Sequence, residues 1–461
     1  MADLTSLMKN LPEVEPPKEK LGFKEKAKWT LIILSAFFIL SNISLYGLGP
    51  SFLTRFDQLA VLLGTDFGSI ISLGIGPIVT ASIILQLLVG SKILDIDTHT
   101  SEGKKYFQGL QKILVLFFIV FESIIFVVMG GFSPDSSLGT FGIWILITQL
   151  VLGGLAILFM DEVIQKWGFG SGISLFIAAG VSLSLFTSLF QFLGTEGISG
   201  GFQPVGRIWI LITSLINNNP IGAVTAGAGI LVTAIIFLVI VWAQSLKVEI
   251  PLSYDRLRGY GIKWPLAFFY TSVIPVILVS ALAANVQLVG GLLENWLGRA
   301  TVLGGFNQGI ATSGFAAWVG GVDLLNALIT KSYTNFMIIQ SIGHIIFYVF
   351  FSVLFGIFWV KTSGMDPQSQ AKNIMQSGLT IPGFRKDERI LESVLDRYIL
   401  PLTIMGGAAI GLLASVSNIS GTLVGGTSIL LVIMITFQLY QTIAQQHASD
   451  MHPALKKFVK I

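Results

Sequence analysis

The chain has 461 residues, of which 53% are hydrophobic, 11% are charged and none is cysteine. Soluble globular chains carry about 25% charged residues, so this composition excludes an ordinary soluble protein and favours a bundle of helices in a lipid bilayer. Without cysteine the chain has no disulfide, no thiolate metal ligand and no cysteine nucleophile. The four histidines lack the spacing of metal ligands, and we expect neither a metal site nor a cofactor.

The first segment, residues 1–28, mixes lysine with glutamate and leads directly into a long apolar run. It lacks the short apolar core and small-residue cleavage site of a cleavable signal. Leu4, Leu7, Met8 and Leu11 share one helical face, which predicts an interfacial helix. A polar tail is an equally good interpretation of the same residues.

Ten uncharged or nearly uncharged runs are long enough to cross the ~30 Å hydrocarbon core, which takes ~20 residues. They lie at 29–48, 69–91, 108–130, 139–160, 172–192, 222–246, 266–288, 333–360, 400–416 and 421–442. In the second run, Gly74, Gly76 and Pro77 predict a bend in the helix. Residues 300–322 are also uncharged, but their glycine and polar content predicts an irregular loop instead of a span.

The distribution of lysine and arginine orients these spans. With the N-terminus in the cytosol, cytosolic segments hold 24 of the 28 basic residues, as the positive-inside rule requires. We therefore expect cytosolic segments at 1–28 and 443–461, large cytosolic loops at 247–265 and 361–399, and an external connection at 193–221.

Ten spans with both termini on one side divide into two halves of five, 29–192 and 222–442. Because five is odd, the second half enters the membrane upside down, as in many transport proteins. Residues 51–64 are apolar but too short to cross. They fit a re-entrant helix buried in protein or an interfacial hairpin helix. The predicted fold is an all-α polytopic membrane protein of ten transmembrane helices in two inverted five-helix halves, with a short re-entrant helix.

No residue pattern typical of an enzyme is present, and we expect no catalytic residues. The glycine-rich run at 168–172 resembles a phosphate-binding loop, but no strand precedes it. Glu122 is the only acidic group in the core of a span, which by default suggests a functional site. A hydrogen-bonded helix contact involving Thr80, Asn285 or Gln149 explains it equally well. A channel and a secondary transporter for a small solute both remain open at this point.

The two large cytosolic loops are basic. Phosphate neutralisation dominates binding to nucleic acid, so the loops are candidates for contact with ribosomal RNA. Composition alone favours ordinary positive-inside charge. The basic residues concerned are Arg256, Arg258, Lys263, Arg385 and Lys386.

Five stretches, in order along the whole chain, resemble the SecY family, the central subunits of the Sec protein-conducting channel. LGIGPIVTASIILQLLVG at 73–90 and MDEVIQKWGFGSGISLFIAAG at 160–180 resemble its two signature regions. KVEIPL at 247–252 and IPGFRK at 381–386 resemble its cytosolic loops. HPALKK at 452–457 resembles the C-tail of archaeal members. The first stretch lacks the tyrosine typical of bacterial forms, and the second has glutamine where a small polar residue is usual.

The resemblance implies three sites within the membrane. A ring of aliphatic side chains closes the pore; the matching residues are Ile75, Val79, Ile173, Ile177, Ile277 and Leu431. A lateral gate toward lipid contains a polar cluster that matches Thr80, Glu122 and Asn285. A plug helix seals the external funnel; it matches 52–63, with Phe52, Leu53, Phe56, Leu59 and Leu62 as its apolar side chains.

The resemblance also implies the function and the partners. It predicts passive translocation of unfolded polypeptides, with release of hydrophobic segments into lipid, in the cell membrane of an archaeal-type cell. It implies that the basic residues of the cytosolic loops contact the ribosome, which supplies a nascent polypeptide with a signal sequence. Two small membrane subunits, SecE and Sec-beta, are the other expected partners, and the alternative function is still secondary transport.

Overall fold

The computed structural model describes residues 12–51, 53, 65–96, 100–192, 205–254, 261–271, 273–307, 310–376, 379–380 and 387–451. Helices dominate this part of the chain. They are α1 (Phe23–Ser41), α2 (Gly76–Gly90), α3 (Ser101–Val128), α4 (Gly139–Trp167), α5 (Gly172–Phe190), α6 (Arg207–Ile216), α7 (Pro220–Ser245), α8 (Ile274–Leu297), α9 (Gly314–Gly320), α10 (Leu324–Ile329), α11 (Asn335–Thr362), α12 (Pro367–Gln376), α13 (Glu388–Ile419) and α14 (Gly426–Met451).

Eight helices in the described ranges are long and apolar enough to cross a membrane: α3, α4, α5, α7, α8, α11, α13 and α14. They coincide with the third to tenth predicted spans. The first two predicted spans correspond to α1 and α2. With 15 residues and a rise of 1.5 Å per residue, α2 extends only about 22 Å, so it is shorter than the hydrocarbon core.

The glycine-rich opening of the second predicted span starts a helix instead of bending one. Gly74 has a φ of +54°, a left-handed conformation that glycine adopts without strain. Pro77 occupies the first turn of α2, where its missing N–H costs no hydrogen bond. Ile75 is the N-cap residue. The prediction of a bent helix over 69–91 was therefore wrong in its first turns.

The described chain is predominantly helical, as predicted, and a few short strands in the second half supplement its helices. β1 (Lys247–Tyr254), β2 (Gly261–Ala267) and β5 (Leu379–Thr380) form an antiparallel sheet in the order β2-β1-β5. A separate hairpin joins β3 (Gly305–Asn307) to β4 (Ile310–Ser313). Because β2 extends to Ala267, the seventh span begins at Ile274 and not at 266.

The two predicted cytosolic loops fold together around a small hydrophobic core of their own. The β1–β2 hairpin, α12 and the first turns of α13 contribute to it. Its buried members are Ile250, Leu266, Tyr270, Val360, Ala371, Ile374, Leu391, Leu395, Ile399 and Leu402. Much of 361–399 is thus helical, and α13 starts twelve residues before the predicted span at 400.

The main hydrophobic core draws residues from both halves of the chain. The outer faces of the helices, in contrast, expose large apolar side chains; Leu231 and Trp144, for example, are 64% and 68% exposed. Such a surface fits lipid, in which helices satisfy their own backbone groups. Residues 300–322 form β3, β4 and α9 without a spanning helix in their described part, as their composition predicted.

Several predicted features lie outside the described residues. These are the N-terminal helix containing Leu4, Leu7, Met8 and Leu11, and the C-tail from 452 onward.

The described part of the external connection contains α6, which packs on α5 and α7. At the other end, α14 extends to Met451, beyond the predicted limit of 442.

Candidate functional site

One contact surface between the two halves, here called the seam, is formed by α2 against α8 and α11. At the C-terminal end of α2, Gly90 lies directly on α11. A Cβ atom placed on Gly90 would be 2.5 Å from Cδ1 and 3.1 Å from Cβ of Phe358. Only a residue without a side chain permits this approach, so the seam is tightly closed at this end.

The three residues predicted for the lateral gate are brought together where α2 meets α8. Asn285 Nδ2 on α8 donates to Thr80 Oγ1 on α2 at 2.9 Å. The Thr80 hydroxyl is in turn the hydrogen-bond partner of the Glu122 carboxyl group on α3. Glu122 also lies close to the backbone of α2, because a Cβ on Gly76 would be 3.3 Å from its Oε2. We call these three residues the polar triad.

The polar triad can bridge three helices because a hydroxyl group both accepts and donates. Thr80 accepts from the amide of Asn285, which leaves its proton for Glu122. All three side chains are half-buried, where water competes less for these bonds than at an exposed site. Both earlier interpretations of Glu122, a helix contact and a gate residue, agree with this geometry.

Five of the six residues predicted for the pore ring are buried members of the main hydrophobic core, and the sixth packs against it. We call them the apolar ring. Two of them are linked through the backbone, since Val79 N donates to Ile75 O at 3.0 Å. Ile173 is partly buried and packs against the core. The exposed fractions of the others are 2% for Ile75, 3% for Val79, 0% for Ile177, 7% for Ile277 and 1% for Leu431.

The start of α2 is held in place by α4. A Cβ on Gly153 would lie 1.9 Å from the backbone oxygen of Ile70, so α4 touches the backbone of the turn that precedes α2. Neither partner can move aside cheaply, because both are backbone. This contact positions Ile75, the N-cap residue of α2.

The second signature region forms the tight connection between α4 and α5. Asp161 on α4 is 4% exposed, and its Oδ1 accepts from the backbone N–H of Ile173 at 3.0 Å. A carboxylate at a helix N-terminus satisfies free N–H groups and interacts favourably with the helix dipole. A Cβ on Gly172 would lie 2.7 Å from Asp161 Cα. The glycine-rich run is therefore a helix–helix connection, and Gln165 supports it by donating to Asp161 Oδ2 at 2.7 Å.

Of the residues predicted for the plug, only Leu53 lies within the described part of the chain. It is fully buried, and its backbone N–H donates to the oxygen of Gly131 at 3.1 Å. Phe52, Phe56, Leu59 and Leu62 lie outside the described residues.

The basic residues of the two predicted cytosolic loops are also largely outside the described part. Arg256 and Arg258 fall between β1 and β2, and Arg385 and Lys386 follow β5. Lys263 is in β2, in register with Pro251. β1 pairs with β5 through Ser253–Thr380 and Tyr254–Leu379. The sheet thus places residues 253–254, which precede Arg256 and Arg258, beside residues 379–380, which precede Arg385 and Lys386.

A buried polar network in the second half was not predicted from the sequence. His344 Nδ1 lies 2.8 Å from the oxygen of Val319, and its Nε2 lies 3.2 Å from Asn418 Nδ2. A carbonyl oxygen only accepts and an amide nitrogen only donates, so the proton is on Nδ1 of a neutral imidazole. Asn418 Oδ1 accepts from Thr427 N at 2.8 Å, and Tyr348 also bonds to the Asn418 side chain.

This network joins α11 to α13 and α14. Its partners are separated widely along the chain, and the only sequence signal was an isolated histidine inside an apolar run. A buried polar group that loses its hydrogen-bond partner destabilises the folded protein. We therefore expect the network to keep these helices together as one unit.

Comparison with known proteins identifies relatives along nearly the whole chain. The model of the family described as SecY matches residues 69–440. The protein translocase subunit SecY of Methanothermobacter thermautotrophicus is 43% identical, over 97% of this chain and 96% of its own. A solved structure concerning the plug domain of SecY and the closed state of the translocation channel is 39% identical, with a TM-score of 0.82 and coverage of 98% and 99% of the two chains. Sec61 in the canine ribosome–channel complex from the endoplasmic reticulum is 38% identical, with a TM-score of 0.78 and the same coverage.

Proposed function

The chain belongs to the SecY family, as its motifs predicted, and from that premise we propose that it is the central subunit of a protein-conducting channel. It translocates unfolded polypeptides across the membrane and releases hydrophobic segments sideways into lipid. Full-length relatives named as protein translocase subunits support this function over secondary transport of a small solute. As a member of a channel family, the chain has a conducting role and not a catalytic one.

The observation that carries the proposal is the double role of α2. One face contributes Ile75 and Val79 to the hydrophobic core. The next residue, Thr80, makes the polar contact with α8 across the seam. A helix with this arrangement can border a central constriction and a lateral exit at once, which a polypeptide channel requires and a solid helix bundle does not.

The apolar ring is proposed as the ion barrier of the closed channel. A narrow constriction lined only by aliphatic side chains excludes water and therefore ions. The same side chains are flexible enough to part around an extended polypeptide. Residues 52–63 are proposed as the plug on the external side of this barrier. The burial of Leu53 and the plug domain named for a related SecY structure support that assignment.

The polar triad is proposed as the latch of the lateral gate, with α2 and α3 on one side and α8 and α11 on the other. A translocating segment leaves through the gate when its transfer to hydrocarbon is favourable. Charged residues cost about +2.5 to +3.5 kcal/mol at the bilayer centre, whereas leucine or isoleucine contributes about −0.3 to −0.6 kcal/mol. This difference makes release selective for apolar segments.

The partners and orientation follow from the same proposal. Both termini lie on the cytosolic side of the cell membrane, as the charge distribution indicates. Arg256, Arg258, Lys263, Arg385 and Lys386 contact ribosomal RNA; the related ribosome–channel complex supports a ribosome as the source of the nascent chain. The small membrane subunits SecE and Sec-beta complete the assembly, and the driving force comes from the translating ribosome.

Reconstituted vesicles test the proposal. We expect replacement of Ile75, Val79 and Ile277 by serine to make vesicles that contain the channel leak ions, because polar side chains rehydrate the constriction. The matched control replaces Leu231, Ile235 and Leu238, which are exposed on α7, by serine. A membrane that stays ion-tight with the first variant and leaks no more than with the control would contradict the role of the apolar ring.

A further inference from the structure

The cytosolic segment that precedes α1 contacts both halves of the molecule at once. Its first contacts are with α4. Lys166 forms an ion pair with Glu13 and donates to the oxygen of Val14 at 2.6 Å. Val14 N donates to Glu162 Oε2 at 3.1 Å. Trp167 Nε1 donates to the backbone oxygen of Glu15 at 2.9 Å.

These contacts are reinforced by charge and extend to α3. Glu162 also forms an ion pair with Lys112 on α3, and both side chains are only about 15% exposed. The hydrogen bond and positive charge of Lys166 lower the pKa of Glu13, and the charge of Lys112 acts in the same direction. The N-terminal segment is thus fixed to the C-terminal end of α4, which is itself ion-paired with α3.

The other end of the segment is fixed to the second half. Gln446 on α14 donates through Nε2 to the backbone oxygen of Leu21 at 3.4 Å. Its Oε1 accepts from Lys26 Nζ in the first turn of α1 at 3.2 Å. Between the two anchored ends lie Pro16 and Pro17, whose rings fix φ and stiffen the chain. A stiff segment with both ends bonded transmits force instead of stretching.

The position of the segment in the bundle is also informative. α14 packs on α1 and α5 of the first half, so the two halves meet at a second junction besides the seam. When one half rotates away from the other to open the seam, some other contact between the halves must persist. We propose that residues 13–21 are a tie that holds the α4 and α14 ends together and keeps this second junction closed while the seam opens.

The tie is a positioning device and rests on the proposed function, since a fixed junction has a role only if the seam moves. It differs from the polar triad in kind. The triad bonds helices through half-buried side chains, and these bonds break when the helices move apart. The tie bonds a backbone segment at two ends, so that breaking either end releases the halves.

Crosslinking tests the tie directly, because the chain has no cysteine of its own. One variant carries Leu21→Cys and Gln446→Cys, and the comparison variant carries Thr80→Cys and Asn285→Cys. Each is treated with a short bifunctional thiol reagent before translocation of a secretory chain into vesicles. Because Gln446→Cys removes one anchor until the crosslink replaces it, we expect crosslinking to keep or raise the translocation rate of the first variant and to abolish nearly all translocation by the second.

The possible results separate the tie from the function on which it rests. Loss of translocation on crosslinking 21 to 446 would overturn the tie, because this junction would then have to move. Full translocation after crosslinking 80 to 285 would overturn the lateral gate itself. Crosslinks that are harmless at both positions would likewise contradict the gate and leave the tie without a role.

A second measurement breaks the tie instead of locking it. We expect Lys166→Gln combined with Gln446→Leu to lower the thermal midpoint of the purified protein and to reduce translocation at least twofold. The matched control is Lys18→Gln combined with Lys20→Gln, two exposed lysines of the same segment. If the tie variant equals this control in both readouts, the proposal is wrong.

Discussion

Replacing Gly90 by alanine tests whether the seam is closed by direct contact of α2 with α11. A Cβ atom at this position would lie 2.5 Å from Phe358 Cδ1 and 2.6 Å from its Cγ, whereas ordinary contacts begin at 3.4 Å. The two helices must therefore separate by about 0.9 Å, or the ring of Phe358 must leave its place. Overpacking of this kind costs about 1–3 kcal/mol.

The cost falls on the closed state, because only the closed seam has this contact. The ratio of closed to open channels should then decrease about five- to 150-fold, since each 1.4 kcal/mol is a factor of about ten. We expect two results in reconstituted vesicles: a higher ion conductance without substrate, and membrane insertion of segments that are too weakly hydrophobic to leave the wild-type channel.

Gly227→Ala is the matched control. It is also a glycine in a membrane helix, but its Cβ would make an ordinary contact at 3.6 Å with Leu211 Cδ1. Alanine gains at most about 1 kcal/mol of helix propensity at either site, so channel opening seen only with Gly90→Ala reports the contact with Phe358. Adding Phe358→Leu to the Gly90 variant should restore normal behaviour. Gly90→Ala channels that match both the wild type and the control would refute a seam closed by contact.

Three further predictions concern the site and its supports. Glu122→Gln should shift the hydrophobicity that a segment needs for insertion, because it alters the bond to Thr80; an unchanged threshold, equal to that of the exposed Glu102→Gln on the same helix, would make Glu122 a structural contact only. Gly153→Ala should abolish accumulation of folded protein, because its Cβ would meet a backbone oxygen at 1.9 Å; normal abundance would show that α4 does not position α2. His344→Ala should lower stability by about 1–3 kcal/mol for each buried group left unpaired, and a thermal midpoint like that of Ile346→Ala, which is 63% exposed, would count against the network.

The spans could be predicted because lipid imposes a minimum length on every crossing helix. Their ends were harder to predict wherever a helix continues into water. The last turns of α4 carry Asp161, Glu162 and Lys166, and hydropathy cannot separate such helical extensions from loops. The same limit explains why α13 begins at Glu388 although its apolar run begins near 400.

The three-stranded sheet was missed for a different reason. β1 and β2 contain Pro251 and Pro265, which are more typical of edges and turns than of strands. β1 is completed by pairing with β5, more than a hundred residues later in the chain. Strand preference depends strongly on such tertiary neighbours, so no local pattern predicts the sheet.

In the site, too, the sequence around a residue marked it as unusual but did not identify its partners, which are distant in the chain. Glu122 was marked as unusual by its position in an apolar run, but its role remained ambiguous. The bond between Thr80 and Asn285 joins residues 205 positions apart. The residues alone offered Thr80, Asn285 or Gln149 as partners of Glu122, and the family resemblance selected the first two. The network around His344 has no matching motif, and it became visible only through packing.

The central claim is that a polypeptide passes through the apolar ring on its way across the membrane. Photoreactive residues at Val79 and Ile277 should crosslink to a translocation intermediate stalled in the channel. A probe at Leu231, which is 64% exposed on the outer face of α7, should crosslink to lipid instead. Equal labelling of the chain from all three positions, or none from Val79 and Ile277, would contradict a pore at this ring.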